Sequence, residues 1–197
     1  TLLVLYYLYH SSKMKNNTTL RNGLFVIALA TVGLQSCKKD PPVNSESEVI
    51  TTLQIVATDS ATGTTAGVFT FKDLDGDKPT PPSVFDTIKL APNKTYNVSL
   101  IVLDESKNPI DSTSNEIAEE ADDHLFFFES TPAALVNVVI QDKDSKNLPL
   151  GLLSKWTTGT AGSGTTKITL RHQPGEKNGT FSPGDTDIEV TFNTLVQ

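Results

Sequence analysis

The sequence predicts an all-β protein, an antiparallel β-sandwich (immunoglobulin-like or similar) of about eight or nine strands with one short helix. Three observations carry this. From Val49 onward apolar residues alternate with polar ones at period two, as in a strand with one buried face. The alternating runs are short and are separated by Gly, Pro, Asn and Asp. No series of helical patterns alternates with them, which argues against a doubly wound α/β architecture.

In the first run Val49, Thr51, Leu53, Ile55 and Ala57 share one face, with Thr52, Gln54 and Thr58 opposite, and residues 59–63 make a turn. Residues 68–72 form a second strand with Phe69 and Phe71 inward, and residues 84–90 a third. Residues 95–103 alternate most cleanly, with Tyr96, Val98, Leu100 and Val102 against Thr95, Asn97 and Ser99. Later strands are expected at 125–129, 135–141, 152–158, 166–173 and 187–196. The last sets Ile188, Val190 and Phe192 against Asp187, Glu189 and Thr191. The helix is expected at 114–123, where Thr113-Ser114-Asn115-Glu116 fits a capping box and good helix formers follow. It leads into Phe126, Phe127 and Phe128, consecutive rings that must face both sides of a strand. One ring therefore fills a second apolar layer or lies at a binding surface.

The segment before the strands is an address. Lys15 and Arg21 follow Met14 as a positive region, and an apolar run at 24–34 is too short for a membrane span of about 20 residues. It ends in Leu34-Gln35-Ser36-Cys37, which resembles the lipobox of bacterial lipoproteins. That resemblance implies cleavage before Cys37, lipidation (palmitate or a similar chain) of Cys37 and anchorage in the cell envelope. Lys38, where some bacteria use Asp as a retention signal, is compatible with the outer membrane. More than one acyl chain makes such anchoring stable, at about 0.8 kcal/mol per buried methylene. The expected organisation is an upstream extension at 1–13, a signal peptide at 14–36, a lipidated tether at 37–48 and the β-sandwich domain at 49–197. The tether KKDPPVNSESE is polar and proline-containing, so it cannot pack.

Charge narrows the function further. The chain carries 16 Lys and Arg against 23 Asp and Glu, a formal net charge of −7. All charges before Cys37 (Lys13, Lys15, Arg21) are basic, so the domain is more acidic still. This disfavours nucleic acid and anionic lipid surfaces as partners and favours cations. The one cysteine leaves no disulfide framework and no thiolate metal set.

The order FKDLDGD, NKTYNVSLIVLDES, EEADDHLFFF, GLLSKWTTGTAGSGTTKITLRHQP and DTDIEVTF resembles a group of small uncharacterised envelope lipoproteins. The resemblance implies a neighbourhood with TonB-dependent outer-membrane receptors, one of which is the expected partner. A periplasmic-binding fold and a zinc cyclohydrolase activity have both been attributed to members of that group. The all-β pattern argues against the first, and the single Cys against the second.

Four constellations can carry chemistry. Asp73, Asp75 and Asp77 alternate as in a Ca²⁺ loop, but Lys78 and Val84 stand where such a loop needs Gly and Glu. Asp142 and Asp144, with Asn147, make a second cation-loop candidate; for both, the alternative is an acidic turn. Glu116, Glu120 and His124, at spacings of four, share one helix face if the helix reaches His124, a donor set suited to Zn²⁺ or another divalent transition metal; the alternative is a solvated acidic face with a histidine at the helix C-terminus. His172 lies on the Ile168–Leu170 face of its strand and joins them only if the fold brings the two histidines together. The glycine-rich run at 159–165 lacks the lysine and helix of a phosphate loop and reads as a hairpin between the Trp156 and Thr166 strands. No Ser/His/Asp or Cys/His set stands out, so a non-enzymatic domain is expected. The two leading functions are accessory binding of a metal or metal complex for uptake, and a protein- or glycan-binding module using exposed aromatics such as Tyr96, Phe127 or Trp156.

Overall fold

The computed structural model describes residues 49–76 and 80–197. The residues where a signal segment and a tether with Cys37 are expected, and Asp77, lie outside the described residues. In chain order the elements are β1 (Thr52–Asp59), β2 (Thr65–Lys72), β3 (Val84–Phe85), β4 (Ile88–Leu90), β5 (Thr95–Leu103), α1 (Thr113–Glu119), β6 (His124–Thr131), β7 (Val136–Ile140), β8 (Leu153–Thr158), β9 (Gly162–His172) and β10 (Asp185–Val196). They form an all-β sandwich. One sheet has the order β3-β2-β1-β5-β8-β7, the other β4-β10-β9-β6.

Alternation decides which residues fill the space between the sheets. Leu53, Ile55 and Ala57 of β1, Tyr96 to Val102 of β5 at every second position, and Trp156 of β8 are buried on one side. Phe126 of β6, Ile168 and Leu170 of β9, and Val190 and Phe192 of β10 are buried from the other, and all belong to one apolar cluster. Each Leu, Ile, Val or Phe among them contributes about 1.5–3 kcal/mol of transfer free energy. Trp156 and Tyr96 are therefore core residues, not surface anchors, and their polar atoms are met internally. Trp156 Nε1 donates to Ser154 Oγ at 2.8 Å, and Tyr96 Oη accepts from the Ala91 N–H at 3.0 Å.

Four expectations about the elements are corrected. The strand expected at 84–90 is two, β3 in the larger sheet and β4 in the smaller. Asp86 divides them: its N–H donates to Thr70 O at 2.9 Å and its carboxylate accepts from the Thr70 N–H at 2.8 Å. That reciprocal clamp ends pairing with β2 and lets the chain cross to β10. There β4 pairs parallel, so the smaller sheet is mixed. Helix α1 stops at Glu119, short of the expected 123, because Glu120 leaves helical geometry at φ −99° and ψ 33°. The capping box does not form: Ser112 is the N-cap and makes no side-chain cap bond. Ser114 instead ties the helix to β5, its Oγ accepting from the Val102 N–H at 2.6 Å. Finally, residues 159–165 are no hairpin. β8 pairs with β5 and β7 while β9 pairs with β6 and β10, so the chain crosses between sheets at 159–161 and residues 162–165 already belong to β9. Glycine is required on that path. A Cβ on Gly159 would stand 2.2 Å from Ala134 O, and one on Gly164 would stand 2.0 Å from Thr131 O.

The long β9–β10 loop closes one end of the sandwich. Buried Gln173 donates from Nε2 to the carbonyls of Thr180 at 2.9 Å and Pro183 at 2.6 Å, which folds the loop on itself. Its backbone N–H donates to Asp123 O, and the Gly175 N–H to Asp123 Oδ1. Lys177 reaches further: its side chain is fully buried, Nζ stands 2.9 Å from Asp144 Oδ2, and it donates to Ala121 O at 2.7 Å. One ammonium thus joins the β9–β10 loop, the β7–β8 loop and the chain after α1. Lys177→Met would leave the Asp144 carboxylate buried without its cation. The expected cost is about 3 kcal/mol, the low end for a broken buried pair because loops rather than the sandwich cover it. Urea unfolding measures this, and an unchanged midpoint would contradict the staple.

Candidate metal centre

The centre is built where three adjacent strands of the smaller sheet end. Antiparallel pairing of β6 with β9 sets His124 directly opposite His172. Both share the inward parity of Phe126 and Leu170, so both imidazoles turn into the end of the sandwich; His124 is fully buried and His172 nearly so. Their rings stack, with centroids 4.7 Å apart and planes 6° from parallel. Glu120, the exposed C-cap of α1, completes the group. One ring nitrogen of each histidine and one carboxylate oxygen of Glu120 lie within 4.8 Å of one another, the one such His/acid group among the described residues.

The hydrogen bonds of His124 fix its chemistry. Nδ1 lies 3.1 Å from the Glu120 carbonyl oxygen. A carbonyl only accepts, so Nδ1 carries the proton and Nε2 the lone pair. A backbone carbonyl on the far ring nitrogen is the usual support for a metal-binding imidazole. Nε2 is buried and makes no hydrogen bond. Asp187 Oδ2 stands 3.8 Å from it, with both side chains closed to solvent. Burial pushes the His124 pKa below the ordinary imidazole value; the Glu120 carbonyl opposes this, and the His172 ring adds to it. A neutral His124, the form that binds metal, follows.

The geometry is open rather than closed. Around a tetrahedral ion with bonds of about 2.0–2.1 Å, ligand atoms stand roughly 3.4 Å apart. Parallel rings also aim their lone pairs side by side instead of at one point. Seating an ion therefore requires one imidazole to tilt and exposed Glu120 to close in. Beside Glu120 lies an open depression of about 530 Å³ that Glu119, Glu120, Asp122 and Asp123 help to line. Such a rim attracts cations.

Other candidate residues are placed differently. Glu116 does not join the group. The expected face of Glu116, Glu120 and His124 needs one helix through position 124, whereas α1 ends at Glu119 and His124 opens β6. The charge of Glu116 acts instead on Lys107. Asp142 and Asp144 have partners within the protein. Asp142 accepts from the N–H groups of Gly151 and Leu153, at 2.8 and 3.0 Å. Burial alone would raise the Asp144 carboxyl; the Lys177 ammonium and the N–H groups of Leu148 and Lys146 outweigh it and hold it below the usual range. These oxygens are spent on the protein itself. Asp73 accepts from the Asp75 N–H at 3.2 Å, an Asx-type turn, and Asp77 lies outside the described residues. Of the three aromatics considered for a surface, only Phe127 is part-exposed, edge-on to Phe181 at 5.1 Å with the Arg171 guanidinium 4.6 Å over the Phe181 ring.

Asp187 was not legible as a site residue. Strict alternation puts it outward with Glu189. A bulge between Thr186 and Ile188 shifts the register by one and leaves Asp187 as the extra residue, its side chain turned inward. Comparison with protein-family models, curated proteins and solved structures finds no match.

A pH dependence follows from His124, faced by His172 on β9, Asp187 on β10 and Glu120 at the end of α1. Unfolded, it takes up a proton near 6.5; folded, only at lower pH. Between those values the unfolded chain binds more protons. Its contribution to stability is thus full above 6.5 and is lost as pH falls toward the folded value. Thermal melting without metal, from about pH 7.5 to about 5, should show this decline, and His124→Gln should flatten it. A wild-type slope unchanged in His124→Gln would contradict the assignment.

Proposed function

We propose that this chain is a non-enzymatic, lipid-anchored envelope protein whose β-sandwich binds a divalent transition-metal ion or its complex through His124, His172 and Glu120. One observation carries the reading: the β6–β9 register sets the two histidines of the domain against each other with a carboxylate beside them. Two imidazoles and a carboxylate suit Zn²⁺, Cu²⁺ or Fe ions better than Ca²⁺ or Mg²⁺. The acidic rim and net negative charge support cation capture. The lipobox-like Leu34–Cys37 segment supports anchorage through Cys37, and the likeness to envelope lipoproteins found beside TonB-dependent receptors supports a role as accessory to outer-membrane metal uptake.

A second reading, a protein- or glycan-binding module without a metal role, rests on Phe127, Phe181 and Arg171, an aromatic and cationic cluster at the surface. It predicts binding indifferent to both histidines.

Calorimetric titration of the purified protein with Zn²⁺, Cu²⁺, Fe³⁺ and haem separates the two. One equivalent of ion is expected to bind, with at least about tenfold loss of affinity in His124→Ala and in His172→Ala. Absence of binding, or binding unchanged by both substitutions, would refute the metal reading.

A further inference from the structure

We propose that the metal centre is also a switch: an ion held by Glu120, His124 and His172 locks the β7–β8 and β9–β10 loops through the short chain segment between two of its ligands. This rests on the metal reading above and adds the regulation of that same site.

The segment is 121–123. Glu120 follows the last residue of α1 and His124 is the first of β6, so only Ala121, Asp122 and Asp123 separate these two ligands. Each of the three holds a distant loop. Ala121 O accepts from Lys177 Nζ at 2.7 Å. The Asp122 carboxylate accepts from the Ser145 N–H at 2.9 Å and from Ser145 Oγ at 2.7 Å. Asp123 accepts at its carbonyl from the Gln173 N–H at 2.6 Å, and at Oδ1 from the Gly175 N–H at 2.9 Å. Ser145 lies in the β7–β8 loop, and Gln173, Gly175 and Lys177 lie in the β9–β10 loop. Lys177 also joins the loops to each other through Asp144, 2.9 Å away.

Seating an ion must act on this segment. The ligand atoms of the group spread over as much as 4.8 Å, wider than the roughly 3.4 Å around a tetrahedral ion. The group therefore contracts when it fills. His124 and His172 sit on paired strands whose register fixes their backbones. Glu120 is exposed and lies past the end of α1, so it is the ligand that moves. Once it closes, the ion bridges both ends of 121–123. Any opening of that segment that withdraws Glu120 or His124 must then break a metal bond. An ion that binds only the closed arrangement suppresses the open one in proportion to its occupancy. The loop bonds to Ala121, Asp122 and Asp123 outlast those of the empty protein. Linkage is reciprocal, so a protein that grips either loop changes the affinity for the ion by the same factor.

Amide hydrogen exchange of the purified protein, read residue by residue with and without Zn²⁺, tests this. At about a hundredfold excess of Zn²⁺ over its Kd, the N–H groups of Ser145, Gln173 and Gly175 should exchange at least about tenfold more slowly. The N–H of Gly63, bonded to Asp59 O within the β1–β2 turn, is the control and should not change. Asp122→Ala, brought to the same saturation by calorimetry, should lose the slowing at Ser145 and keep it at Gln173. Zn²⁺ bound at one equivalent, with both imidazole signals shifted but the loop amides exchanging as before, would overturn the switch and leave the metal site standing. Equal slowing at Gly63 and the loop amides would mean general stabilisation and would overturn it too. Absence of Zn²⁺ binding would remove the site and the switch together. Should Asp122→Ala fail to fold, the wild-type comparison against Gly63 decides alone.

Discussion

The structure depends on the register of β9 between its two neighbours. That strand pairs with β6 on one edge and β10 on the other along most of its length. Its inward residues Ile168 and Leu170 build the centre of the core, and His172 is the next inward position after them. One alignment therefore fixes both the apolar packing and the histidine pair. A slip of one residue would turn Leu170 to solvent and His172 outward together. The core, worth far more in free energy than any polar contact, thus holds the two imidazoles face to face.

Buried polar groups at that end of the sandwich are arranged in two ways. Asp144, Lys177, Gln173 and Asp142 are used on the protein itself: Lys177 pairs with Asp144, Gln173 donates to loop carbonyls and Asp142 accepts from backbone N–H groups, which pins the loops. Such networks specify one loop arrangement provided each member is satisfied. His124 differs in its company: one nitrogen is held by the Glu120 carbonyl, and the ring stands with His172 and the Glu120 carboxylate in the one His/acid group within 4.8 Å among the described residues. That grouping separates a structural cluster from one with a metal-ligand set. It is the physical basis for reading the histidines, and not the more numerous aspartates, as the site.

The fold was legible in the sequence where alternation is strong. The β5 pattern of Tyr96, Val98, Leu100 and Val102, and the β10 pattern of Val190 and Phe192, place the core correctly. What failed to show are events that break period two or join distant segments. Asp86 cuts one apolar run into strands of different sheets through a bond to Thr70 on β2, a partner sequence order does not name. Gly159 and Gly164 look like hairpin residues, yet they are small because carbonyls of the 131–134 stretch pass close by. His124 and His172 were legible as residues but not as a pair, since pairing is a matter of register between strands nearly fifty positions apart. The bulge at Asp187 hides a buried carboxylate in a position that reads as solvent-facing.

The central claim is that both imidazoles hold one ion. Long-range ¹H–¹⁵N correlation of the histidine side chains during Zn²⁺ addition tests it most directly. The account predicts that one ring nitrogen of His124 and one of His172 shift together and saturate at one equivalent, with His124 Nδ1 still protonated. Resonances of both rings that stay fixed through excess Zn²⁺ would contradict it.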